Sequence, residues 1–123
     1  MNVVDSSGWL EYFADAANAE FFASAIEDTD SLVVPTITLY EVFKRVSSQR
    51  GSDPAYVAVS QMRQGTVVDL DANLAVSAAA ISLEHRLPMA DAVILATSRA
   101  YEAVLWTQDE DFRDLEGVKY VAK

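Results

Sequence analysis

The sequence contains no cysteine, a single histidine, three prolines and four glycines. The absence of cysteine excludes disulfides, thiolate zinc sites and a thiol nucleophile. One histidine, His85, cannot form an imidazole cluster, and its place at the end of a helical stretch suits a surface or capping cation. So little proline and glycine excludes a low-complexity or disordered chain. Positive charge is scarce too. Nine Lys and Arg face nineteen Asp and Glu, a net charge of −10, so no broad basic surface is available to neutralise nucleic-acid phosphates. The longest uncharged apolar run, ANLAVSAAAISL at 72 to 83, falls short of the roughly 18 to 20 residues of a membrane span. MNVVDSSGWLEYF at the start lacks the basic segment of a secretory signal, so a cytoplasmic protein with no membrane partner is expected.

What is present is apolar. With 51% hydrophobic residues in 123, the chain can close one core, and a single domain over 1–123 is expected. Short apolar runs at 2 to 4, 31 to 35, 66 to 70, 103 to 107 and 118 to 122 read as strands. Between them lie helical patterns: GWLEYFAD, roughly 17 to 28, TITLYEVFKRVSSQRG closed by Gly51, and DPAYVAVSQMRQG. A long helix capped by Asp71 follows, and then one opened by Pro88. QDEDFRDLEG reads as a turn with a short helical piece. Strands without polar alternation, separated by helices, indicate an α/β fold with a parallel sheet of four to five short strands covered on both faces.

In such sheets ligands bind beyond the carboxyl ends of the strands, and that rule sorts the acids. Asp5 follows the first strand, Glu41 lies in the first turns of the helix after the second, and Asp109 follows the fourth. Asp91 opens the helix that leads into the fourth strand, inside the greasy stretch LPMADAVILATS. Each has a structural reading. Asp5 could cap the first helix, and Glu41 stands three residues after Thr38 as in a capping box. Asp91 could complement a helix dipole, and Asp109 and Asp111 could form a turn. Those readings do not explain why Asp5 and Asp91 are flanked by core-type residues. Two carboxylates about 4 Å apart repel by about 4 kcal/mol at an effective dielectric of 20, so a shared rim needs a cation. Mg²⁺ or Mn²⁺ suits a site of carboxylate oxygens without His or Cys.

Taken together, VVDSSGWLEYF, Glu41 on the helix after the second strand, LPMADAVILATS and WTQDEDF resemble the four acidic motifs of the PIN domain, most closely its VapC-type toxin branch. The resemblance runs over the whole chain and implies the three-layer PIN fold. It implies Asp5, Glu41, Asp91 and Asp109 as the catalytic, metal-binding acids, with Asp111 as an additional carboxylate and Ser6 and Thr107 as hydroxyls beside them. It further implies an Mg²⁺- or Mn²⁺-dependent endoribonuclease that restrains growth by cutting structured RNA, with single-stranded loops as the accessible targets. A homodimer, silenced by a small antitoxin whose C-terminal segment covers the acidic pocket, belongs to the same implication.

Lys44, Arg45 and Arg50 in FKRVSSQR are the candidates for contacting RNA phosphates, although a solvated helix face explains them as well. Trp9, Tyr12 and Tyr40 near the rim could stack on RNA bases, and the apolar face with Phe13, Phe21 and Phe22 could serve a dimer or antitoxin, but core packing is the first expectation for both. Two rival readings stay open. One is a phospho-accepting receiver-type signalling domain using Asp69, Thr107 and Lys119, although KYVAK at the end lacks the Lys-Pro such domains carry. The other is a catalytically silent PIN interaction module.

Overall fold

The computed structural model describes residues 1–123. Five short strands form, β1 Asn2–Val4, β2 Val33–Pro35, β3 Thr66–Val68, β4 Val104–Thr107 and β5 Val118–Tyr120. All pair in parallel, β1 with β4, β4 with β5, and β2 with β3. A single parallel bridge between Asn2 and Leu32 joins the two groups, so the strand order across the molecule is 3-2-1-4-5.

Six α-helices cover the faces: α1 Ser6–Phe13, α2 Ala19–Ile26, α3 Thr36–Arg50, α4 Ser52–Met62, α5 Ala72–His85 and α6 Met89–Ala100. Successive strand residues point to opposite faces, and this divides the core in two. Val3, Val33 and Leu105 pack with α5, α6 and Phe112 on one side. Val4 and Val34 pack with Trp9, Phe22, Val42 and Met62 from α1 to α4 on the other. The result is the expected three-layer α/β arrangement. Residues Ala92 to Ser98 of α6 are buried without interruption, which is why the sequence around Asp91 looks like core.

Close packing sets one glycine. A Cβ on Gly8 would lie 2.6 Å from the Phe22 ring and 2.7 Å from Val4, so only a bare backbone lets α1 approach β1 and α2. The structure also trims several expected elements. The second helix covers Ala19–Ile26 rather than 17 to 28, and Thr29–Ser31 forms a 3-10 turn before β2. β3 ends at Val68, leaving Asp69 and Leu70 exposed before Asp71. The Asp71 side chain caps α5 as expected, accepting from the Leu74 amide at 2.8 Å. No helix is long and apolar enough to cross a membrane.

Candidate metal centre

The strand order explains why the acids meet. From β1 the chain runs to β2 on one side, whereas β4 lies on the other, so a crevice opens beyond the carboxyl ends of β1 and β4. Asp5 leaves β1 there, and Thr107 and Asp109 leave β4. The first turn of α6 delivers Asp91, and a 3-10 turn at Glu110–Phe112 delivers Asp111.

Asp91, Asp109 and Asp111 each bring a carboxylate oxygen to within 4.8 Å of the others. Asp5 is buried behind them, 2% exposed, and its carboxylate is held by three donors. The Gly8 amide donates at 2.9 Å and Thr107 Oγ1 at 2.7 Å, while Ser7 Oγ donates at 2.9 and 3.0 Å to the two oxygens. The Asp109 amide in turn donates to Thr107 Oγ1 at 2.9 Å, so one hydroxyl ties the β1 acid to the β4 loop. Across the crevice Ser6 Oγ donates to Glu41 Oε1 at 2.6 Å.

No lysine or arginine answers these charges. The one basic side chain within 4.0 Å of a carboxylate anywhere in the chain is His85, whose Nε2 lies 3.8 Å from Glu84 Oε1. The consequence appears in proton affinity. Burial pushes Asp91 up to about 7, helped by the negative charges of Asp109, Asp5, Glu41 and Asp111. Burial likewise lifts Asp5 to about 6, against the hydrogen bonds from Thr107, Gly8 and Ser7 and with the charge of Asp109 adding to the rise. Five acids from four separate stretches of chain therefore act on one another. The donor set consists of carboxylate oxygens without nitrogen or sulfur, unbalanced by any basic side chain, and it fits a hard divalent cation such as Mg²⁺ or Mn²⁺.

The sequence-derived candidates sort as follows. Asp91 and Asp109 stand in the tightest group, joined by Asp111, which moves from an accessory place to a central one. Asp5 and Glu41 lie outside that group but within electrostatic reach of Asp91. The capping-box reading of Glu41 is overturned. α3 begins at Thr36, and Thr38 Oγ1 donates to the Pro35 carbonyl at 2.7 Å, so Thr38 is inside the helix and Glu41 binds Ser6 instead. Asp5 does cap α1, as its structural reading held, and it faces the site as well.

The basic residues of α3 do not form one patch. Arg45 and Arg50 line a cavity of about 590 Å³ with Ser7, Gln108 and Lys123, whereas Lys44 lines a different one with Tyr40 and Arg63. Tyr40, expected in the core, is 61% exposed, with Lys44 Nζ 5.7 Å from its ring centroid. Trp9 and Phe22 are core, and Tyr12 is half-buried with its hydroxyl donating to Glu27 at 2.9 Å. The trio needed for a receiver does not assemble: Asp69 follows the edge strand β3, and Lys119 Nζ sits 4.2 Å over the Trp106 ring.

A model of the PIN domain family matches residues 3–118. No curated protein sequence matches the chain. Among solved structures it is similar to a chain of a toxin–antitoxin complex from Klebsiella pneumoniae, with TM-score 0.81, 21% identity and coverage of 97% of this chain and 96% of that one. It is similar to a chain of VapBC2 from Rickettsia felis, solved bound to a promoter DNA fragment, with TM-score 0.75, 12% identity and coverage of 98% and 97%. Mycobacterium tuberculosis VapC20, described as a sarcin-ricin loop cleaving toxin, aligns with TM-score 0.75, 20% identity and coverage of 91% and 92%.

Proposed function

The chain belongs to the PIN domain family, its residues 3–118 matching the family model, and from that premise we propose that it is an Mg²⁺- or Mn²⁺-dependent endoribonuclease of VapC toxin type. The observation that carries the reading is the convergence of Asp91, Asp109 and Asp111 within 4.8 Å, beside Asp5 and Glu41, without a basic counter-charge. In this reading Asp91, Asp109 and Asp111 hold the ion, while Asp5 and Glu41 complete its negative surroundings. A bound divalent cation supplies a water acidic enough to attack at neutral pH and offsets charge on the leaving oxygen.

The remaining work falls to the chain. Thr107 fixes Asp5 and the Asp109 loop through one hydroxyl, so the acids keep their places as charge around them changes. Ser6 holds Glu41 by Oε1, which leaves Oε2 to orient a water or accept its proton. Arg45 and Arg50, in the cavity that also includes Ser7, and Lys44 on the far side of α3 are assigned to RNA phosphates flanking the cut. Unstacked loops of structured RNA, whose bases and phosphates are accessible, are the substrate assigned in this reading. The acid-rich crevice also suits a basic segment of a neutralising antitoxin, and the reading includes self-association as a homodimer in the cytoplasm, with the whole chain acting as one domain.

The test is cleavage of a labelled stem-loop RNA by purified protein in Mg²⁺, Mn²⁺ or EDTA, with Asp91→Ala alongside. Cleavage by wild type only, and only with the cation, is expected, together with growth arrest on induction that the substitution abolishes. Binding of a basic peptide with no cleavage under any cation would reassign the chain to the silent interaction modules.

A further inference from the structure

Lys44 opens onto a cavity of about 700 Å³ between α3 and the end of α4. Leu39 and Phe43 give it apolar walls, Phe43 being braced edge-on by Tyr56 with ring centroids 4.9 Å apart. Tyr40 stands beside them with its ring in solvent. The charged residues of the lining are Lys44 and Arg63, both exposed and neither within 4.0 Å of a carboxylate. No acid lines it, on a chain where nineteen acids outnumber nine bases. An exposed aromatic ring flanked by unpaired cations is the composition of a surface for single-stranded nucleic acid, where a base stacks on the ring and cations take the phosphates. Lys44 Nζ lies 5.7 Å from the Tyr40 ring centroid, so one nucleotide can meet both.

We propose that this cavity takes one unstacked nucleotide of the RNA, its base against Tyr40 and the adjoining phosphates on Lys44 and Arg63, as a subsite apart from the acidic rim. The inference rests on RNA being the substrate in the proposed function, and it adds what the chain reads there: the open face of a base, which a duplex hides. Position supports it. Tyr40 directly precedes Glu41 in α3, so the helix presents the rim acid and the stacking ring about 100° apart, and a strand that passes Glu41 has the ring within one turn. Charge disfavours a second copy of the chain as the occupant, because two such cavities face to face set Lys44 and Arg63 against the same cations. An acidic peptide answers the cations but leaves the Tyr40 ring without a flat partner.

The test is binding of a fluorescein-labelled single-stranded RNA of about ten nucleotides, and of its duplex, by fluorescence anisotropy in EDTA. Wild type is compared with Tyr40→Ala, Tyr40→Phe and Arg63→Gln; these side chains are exposed, and circular dichroism checks that the fold is kept. Wild type is expected to bind the single strand several-fold more tightly than the duplex. Tyr40→Ala should weaken single-strand binding by about tenfold and erase that preference, whereas Tyr40→Phe, which keeps the ring, should retain both. Arg63→Gln should lower the slope of log affinity against log salt by about 0.7, the share of one single-strand phosphate contact. A wild type that binds no RNA at about 100 µM, the weak end of non-specific binding, would overturn the subsite, as would Tyr40→Ala with unchanged affinity. Polyglutamate that displaces the RNA, with duplex bound as well as single strand, would overturn it too and give the cavity to an acidic protein partner. Binding in EDTA is read apart from cleavage. A chain that cuts RNA but binds it independently of Tyr40 keeps the nuclease reading and loses the subsite, and one that never cuts but binds through Tyr40 does the reverse.

Discussion

Asp91→Asn should make the protein more stable while removing its activity. Asp91 is half-buried, and its carboxyl is raised from 3.8 to about 7 by burial and by Asp109, Asp5, Glu41 and Asp111. A carboxyl that holds its proton more tightly when folded loses stability for the chain as pH rises from its unfolded value, near 4, through its folded value, near 7. Below that window both states carry the proton; above it the full cost is present. At 1.36 kcal/mol per pH unit the rise corresponds to about 4 kcal/mol, which solvent screening of a half-exposed group reduces to about 2 kcal/mol. Asparagine has the same shape and no charge. In EDTA at pH 8 the variant should therefore melt about 6 to 10 °C above wild type, a gap that closes as pH falls toward 4. Mg²⁺ should then narrow the gap from the other side, because the wild-type acids gain more from the ion than the variant does. Thermal melts by circular dichroism across pH 4 to 8, with and without Mg²⁺, measure all of this. If Asp91→Asn melts at or below wild type in EDTA at pH 8, the acids do not burden one another and the argument for a cation at this rim fails.

Thr107→Val removes the hydroxyl that donates to Asp5 and accepts from the Asp109 amide; it should cost about 1 to 3 kcal/mol in urea unfolding and reduce RNA cleavage with it. Gly8→Ala drives a methyl into Phe22 and Val4 and should cost about 1 to 3 kcal/mol, read from the denaturation midpoint. Replacing Lys44, Arg45 and Arg50 together with Ala should raise the KM for RNA and flatten its dependence on salt while leaving the melting temperature within a few degrees; an unchanged salt slope removes them from the RNA contact.

Much of the site was legible because its acids stand beside strong local signals. Asp5 ends a β-branched run, Asp91 interrupts an apolar one, and Asp109 follows AVLWT, so each could be assigned to one rim from the chain alone. Asp111 was underrated because an acid two residues beyond Asp109 looks like a turn former in sequence, and only the 3-10 turn brings it beside Asp109 and Asp91. Glu41 carried a rival reading as a cap because spacing alone does not fix where a helix starts. Beginning at Thr36, α3 gives Glu41 to Ser6, thirty-five residues away in the chain. Tyr40 read as core because its residue type prefers burial, but burial depends on what packs against a helix.

By itself the sequence determined the alternation of strands and helices, the chemical poverty of the chain in thiols, imidazoles and cations, and the identity of the acids. These follow from periodicity and residue type, which act over a few neighbours. The tertiary structure alone decided that β1 lies beside β4, so that Thr107 reaches Asp5 across 102 residues, and that Asp91, Asp109 and Asp111 crowd one point. Such contacts depend on how strands order themselves around a shared core, and that choice is settled by the sum of packing over the whole chain.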